Sequence, residues 1–231
     1  MKKNNYRNWK FTLICLISVI LTATIVITLF LIPYYKDKIE YNNYYNKKID
    51  AFTAENDEIT NVDIVFVGDE MIENYNVDAY FHQYSVSNRG IKGDTANSVA
   101  SRMKVSIYDL NPSLVVLEVG INDLDGCVNG YKKILNGIKT NLPETNVIVQ
   151  SIYPTGGTLA TLNEKIDSVN AELEQLTYQN GYCYLNVNQV LKNFNNELDS
   201  KYSDDGININ QKGYTYITTF IKNVCESYIS E

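Results

Sequence analysis

The chain changes hydrophobic rhythm near residue 60. Before that point one apolar run dominates: residues 11–32 (FTLICLISVILTATIVITLFLI) pass without a charged side chain. As a helix rising about 1.5 Å per residue, such a run spans about 33 Å, enough to cross a hydrocarbon interior of about 30 Å. Trp9, Tyr34 and Tyr35 flank it, where interfacial aromatics belong, and the basic tail MKKNNYRNWK (residues 1–10) precedes it. A cleaved leader would have a shorter apolar core and small residues at a cleavage site. This run ends instead in LIPYYKDK. The pattern therefore predicts an uncleaved transmembrane signal anchor at the cell membrane, single-pass, with the N-terminus cytoplasmic and the C-terminal domain extracytoplasmic. Residues 33–60, rich in Asn, Tyr and Lys, read as a polar juxtamembrane connector holding a short helix.

From residue 61 to 231 short apolar runs alternate with amphipathic ones. Strands are predicted at 62–67 (VDIVFV), 84–87, 114–119 (LVVLEV), 146–152 (NVIVQSI) and 182–187 (YCYLNV), rich in β-branched residues. Helices are predicted at about 95–110, 130–141, 162–180 and 211–228. In the third of these Leu162, Ile166, Val169, Leu173 and Leu176 recur at helical spacing, the mark of a core-facing stripe. This alternation implies an α/β fold with a parallel sheet covered on both faces. Chemistry in such sheets gathers beyond the C-terminal ends of the strands. Attention falls on residues 68–70, 88–95, 120–123 and 154–158.

Composition and charge narrow the function classes. With 45% hydrophobic and 20% charged residues the chain can fold, and its 19 tyrosines offer surfaces able to stack on sugars or peptides, although compositional bias is the plainer reading. Residues 1–40 hold six basic and two acidic side chains, a net of +4, which leaves −11 for the remainder of a chain totalling −7. An acidic body argues against nucleic acid as a partner, since phosphate binding needs a basic face. Cys15 lies in the apolar run, while Cys127, Cys183 and Cys225 are far apart and leave one disulfide open without fixing its pair. With one histidine, His82, and no CxxC, neither a structural zinc nor a cofactor is expected.

The loops at the strand ends read, in order, VFVGDEM, NRGIKGDT, EVGINDL and DDGININQKGY. This series resembles the SGNH (GDSL-like) hydrolase superfamily of esterases and acylhydrolases. The resemblance covers about residues 62–228 and implies a three-layer α/β/α flavodoxin-like fold, strand order 2-1-3-4-5. It also implies a Gly-Asp-Ser nucleophile motif, an oxyanion hole formed by a glycine and an asparagine, and a late Asp-x-x-His pair supplying the base and its orienting acid. Here Gly68 and Asp69 match the first motif, Gly90 with Gly93-Asp94-Thr95 the second, and Gly120, Asn122 and Asp123 the third. Asp205 and Gly206 match the last. Glu70, however, stands at the nucleophile position and Asn208 at the base position.

That pair of departures bears directly on chemistry. A serine needs a base to remove its proton, and an amide does not titrate near neutral pH. The resemblance implies Gly90 and Asn122 as oxyanion-hole donors and Asp205 as the acid. The sequence adds an expectation for Glu70: its carboxylate folds into the hole and accepts those hydrogen bonds itself. A hard cation held by Asp69, Glu70, Asp123 and Asp205 is the competing use of these carboxylates. Asp69 and Asp123 already belong to the motif, so no metal is needed to explain them. Two function classes follow. One is a non-catalytic binding or accessory protein at the envelope, whose partner is an acylated glycan or an envelope protein. The other is an esterase with a rearranged site.

Overall fold

A computed structural model describes residues 2–59 and 61–229. The chain divides into two compact units, one ending at Lys48 and the other beginning at Ile49. Helix α1 (Lys2–Glu58) includes the apolar run and continues through the stretch expected to be a connector. That stretch is helical because nothing in it stops a helix: after Pro33 no proline or glycine occurs before Gly68. Among the described residues α1 is the one helix long and apolar enough to cross a membrane. In the first unit Phe11, Ile14, Leu29 and Phe30 all stand exposed.

The second unit is built on five parallel strands: β1 (Ile64–Gly68), β2 (Val86–Gly90), β3 (Leu114–Glu118), β4 (Asn146–Gln150) and β5 (Cys183–Leu185). Their order is β2-β1-β3-β4-β5, as the resemblance implied. Side chains alternate between the two faces with the period of two that a strand imposes. Val65, Val67, Val115, Leu117, Val147 and Val149 face α5 (Cys127–Asn141) and α6 (Asn163–Gln179). Ile64, Phe66, Leu114, Val116 and Ile148 face α8 (Gln211–Ile229), which buries Tyr214, Ile217, Ile221 and Cys225 along one stripe. Both faces of the central strands are thus sealed, and each fully buried aliphatic side chain contributes about 1.5–3 kcal/mol.

Several elements differ from the pattern-based expectation. Short helices α2 (Glu70–Glu73), α3 (Val77–Tyr80) and α7 (Val187–Leu191) are too brief to show a period. Their local signal is the side-chain cap: Asp69 for α2, Asn76 for α3 and Asn186 for α7. The predicted helix at 95–110 is broken into α4 (Ala96–Ser101) and a π-helical turn, Lys104–Tyr108. The break falls at Arg102, whose guanidinium turns inward, where it is buried and fully engaged. The four cysteines, all among the described residues, are free thiols.

Candidate functional site

Beyond the C-terminal ends of β1 and β3, Asp69 joins two strands. One carboxylate oxygen caps α2 by accepting the Met71 N–H at 3.0 Å, and the other accepts the Gly120 N–H at 3.1 Å. This cap fixes the first residue of α2, Glu70, at the strand end. Glu70 Oε2 accepts two hydrogen bonds, from the Gly93 N–H at 2.9 Å and from Asn122 Nδ2 at 2.9 Å. Asn122 Nδ2 is itself held by the Asp94 carbonyl at 3.0 Å. A carboxylate oxygen therefore sits at hydrogen-bonding distance from two donors converging from separate loops. Two such donors stabilise negative charge on the oxygen they share, here Glu70 Oε2.

The glycine that donates is Gly93, where the sequence expectation named Gly90. The Gly90 N–H is taken by Asn88 Oδ1 at 2.9 Å. Gly90 is required for packing: a Cβ there would lie 2.1 Å from the backbone nitrogen of Glu73, so α2 could not close against β2. Gly93 has φ +81, the left-handed region that favours glycine, and this turns its N–H toward Glu70. The signal was present in the sequence as the second glycine of NRGIKGDT.

Two buried arginines support this loop. Arg102 donates to Asp94 Oδ2 (2.7 Å), Ser106 Oγ (2.7 Å) and the carbonyls of Gly68 (3.1 Å) and Arg89 (2.9 Å). Burial raises the Asp94 carboxyl to about 6, with Arg102 opposing the rise. Arg89, its side chain 1% exposed, pairs with Glu55, bonds Asn56 Oδ1 at 2.9 Å and lies 4.6 Å from the Phe52 ring centroid. The end of α1 is thereby locked to the edge strand that carries Arg89. An arginine flanked by apolar helical positions, eight residues after Asp94, was the overlooked clue to Arg102.

Beneath the site lies Glu118, buried on β3 with Oε2 unpartnered. Burial, then the charges of Asp69 and Glu70, push its carboxyl well above the usual range. Burial likewise raises Asp69, to about 8, but its two backbone N–H bonds pull in the opposite direction. At Asp69 two backbone N–H groups offset part of the burial, whereas Glu118 Oε2 has no hydrogen-bond partner to do so.

In the last motif, Asp205 Oδ2 accepts Asn208 Nδ2 at 2.6 Å, and Oδ1 accepts the N–H groups of Ile207 (2.9 Å) and Asn208 (2.7 Å). Chiefly the Asn208 side-chain bond lowers the Asp205 carboxyl to about 2. Asp205 thus orients the side chain at position 208, but that side chain is an amide, which neither gains nor loses a proton near neutral pH. Tyr214 Oη donates to the Met71 carbonyl at 2.8 Å and ties α8 to α2. His82 is exposed on the α3–β2 connection, its Nδ1 3.4 Å from the Ala79 carbonyl. Asp123 Oδ1 accepts the Gly126 N–H at 3.0 Å at the start of α5. Among the described residues no cluster of three or more His, Cys, Asp or Glu side chains is arranged to hold a metal ion.

The profile of the GDSL-like Lipase/Acylhydrolase family matches residues 66–216, well over half of the chain, and the chain belongs to that family. A GDSL-like lipase from Bacteroides thetaiotaomicron superposes with a TM-score of 0.71 at 23% identity, over 78% of this chain and 97% of that one. The acetylxylan esterase Axe2 of Geobacillus stearothermophilus superposes with a TM-score of 0.58 at 14% identity, over 71% and 94%. Both likenesses are of fold. In sequence, the human platelet-activating factor acetylhydrolase IB subunit alpha2 is 30% identical over 123 residues, 49% of this chain and 52% of the relative. The chain spans about half the length of the curated relatives it matches.

Proposed function

We propose that this GDSL-family protein is a membrane-anchored, extracytoplasmic binding or accessory protein of the cell envelope whose serine-esterase site is silent. The observation that carries the reading is the pair of 2.9 Å hydrogen bonds placing Glu70 Oε2 between Gly93 N–H and Asn122 Nδ2. An acid occupies the space a substrate carbonyl would need, and no side chain at position 70 or 208 can serve as nucleophile and base together. Residues 11–32 supply the anchor, and the basic tail at 1–10 supports a cytoplasmic N-terminus. Family membership makes an acyl or acetyl ester the class of group the site recognises, displayed on a glycan or an envelope protein. The acidic body weighs against nucleic acid.

The test is to restore what the motif lacks. The full chain carrying Glu70→Ser and Asn208→His together should hydrolyse p-nitrophenyl acetate at least a hundredfold faster than either single variant. Asp205 already orients position 208, and Gly93 and Asn122 already converge on the reacting oxygen. A flat double variant would mean that the hole is not a working one. Hydrolysis by the unaltered chain would favour the second reading, a rearranged esterase, which the names of its relatives keep in view.

A further inference from the structure

We propose that a polar groove on the β4–β5 side of the catalytic face binds an uncharged oligosaccharide, with Phe194 as its stacking platform. This deepens the proposed function by assigning a ligand class and a second locus, and it rests on that reading only for the direction the glycan takes.

Two cavities, of 220 and 400 Å³, adjoin at Asp167 and Asn196, which line both and are linked by a 3.4 Å bond from Asn196 Nδ2 to Asp167 Oδ2. One wall is α6; the other is α7 and the hairpin that follows it. The lining is dominated by amides and carboxylates, including Glu174, Asn186, Gln189 and Asn195. A primary amide offers a donor and an acceptor side by side, which matches the neighbouring hydroxyls of a sugar ring. Carboxylates in the walls outnumber the one lysine, Lys192, so a polyanionic chain is disfavoured and a neutral one is not.

Phe194 is 98% exposed and directly precedes Asn195 and Asn196, which line the cavities. A ring so fully open to water is unusual on a folded domain, and here the backbone beneath it is fixed. Lys192 bridges to Leu198, and the Asn193 N–H donates to the Glu197 carbonyl at 2.8 Å. Asn193 Oδ1 accepts the N–H groups of Asn195 (2.8 Å) and Glu197 (3.2 Å), while Asn163 Nδ2 holds the Asn196 carbonyl at 3.1 Å. Lys192 Nζ, on a side chain 4% exposed, reaches both Asp167 oxygens at 2.6 and 2.9 Å. An aromatic face on a braced hairpin can stack on the C–H face of a pyranose at little entropic cost.

The hairpin that carries Phe194 is also linked to the last-motif loop through the loop after β4. The Leu198 N–H donates to the Thr155 carbonyl at 3.0 Å, and the Gly156 N–H to the Gly206 carbonyl at 2.8 Å. The loop after β4 therefore joins the hairpin on one side to the Asp205–Asn208 loop on the other. A glycan seated against Phe194 and continued across that loop would bring a substituent toward Asn208 and Glu70.

Affinity electrophoresis of the full chain in mild detergent tests this. The gels contain hydroxyethylcellulose, xylan or galactomannan as neutral polymers, and alginate as a polyanion. At least one neutral polymer should retard the chain. Phe194→Ala and Gln189→Ala, both at exposed positions, should each weaken that retardation at least tenfold with unchanged melting temperature. No retardation by any neutral polymer, preference for alginate, or retardation unaltered in both variants would overturn the groove. Retardation lost in Asn122→Ala but intact in Phe194→Ala would also overturn it, by moving the ligand to the Glu70 site, and would leave the proposed function standing. Acetate release from acetylated xylan by the unaltered chain would instead count against the silent site, with the groove still judged by retardation.

Discussion

Glu70 is held by two donors that meet nowhere else in the chain, a glycine N–H from one loop and an asparagine amide from another. Hydrogen bonds to a charged acceptor are stronger than neutral ones, but this side chain is only half-buried and Asn122 is open to solvent. Glu70→Ala should therefore destabilise the fold by about 1 kcal/mol, read from urea unfolding at neutral pH. A variant as stable as the parent would mean that the carboxylate is not bound there in solution. Glu118 gives a second residue-scale expectation. Its folded-state carboxyl lies well above its unfolded value. Between those two values the folded state holds the extra proton, so stability is full below the unfolded value and is lost as pH rises through the folded one. Asp69 and Asp94 are raised too, and add to the same fall. Urea midpoints should drop from pH 5 to pH 8, and Glu118→Gln should remove part of that drop. An unchanged slope in the variant would show that Glu118 is not the neutral group. Glu70 and Asn122 drew attention because they lie just past the ends of β1 and β3, whereas Asp205 and Asn208 stood out only through the motif the chain resembles. The glycine donor to Glu70 was expected at Gly90 and is Gly93, because two glycines three residues apart compete for one role and only backbone direction separates them.

At the scale of elements, the last turns of α1 belong to the α/β unit. Phe52, Glu55 and Asn56 all engage Arg89 at the edge strand. Arg89 is buried, whereas Glu55 is 52% exposed, so solvent screens part of the pair. Glu55→Ala is expected to cost about 1–2 kcal/mol, since it leaves a buried guanidinium with fewer acceptors. A chain beginning at Ile49 should match the full chain in urea midpoint, while one beginning at Asn61 should fall well below both. Equal midpoints for the two shortened chains would show that the helix end contributes nothing. The sequence reading placed a short helix in this stretch but not its docking, because the i, i+3, i+4 face that meets Arg89 is an aromatic, an acid and an amide rather than an apolar stripe. The π-helical break at Arg102 escaped for a similar reason. The 95–110 stretch has a helical period, and what interrupts it is the long-range demand of seating Arg102 on Asp94 and on the Gly68 and Arg89 carbonyls.

At the scale of the whole molecule, the parallel layered sheet followed from alternation of strands and helices, because burial on both faces enforces apolar β-branched runs that are readable without a structure, while the strand order followed from the family resemblance. Family membership and fold agree with the motif series. What the motif series does not fix is activity, since a scaffold retains its strand-end geometry after the residues that move protons have gone. If Glu70 closes the oxyanion hole, no ester turnover occurs there. The most direct measurement is p-nitrophenyl acetate hydrolysis by the full chain in detergent, run beside Glu70→Ala. Both should stay at the buffer rate. Turnover well above buffer by the unaltered chain, abolished in Glu70→Ala, would contradict it.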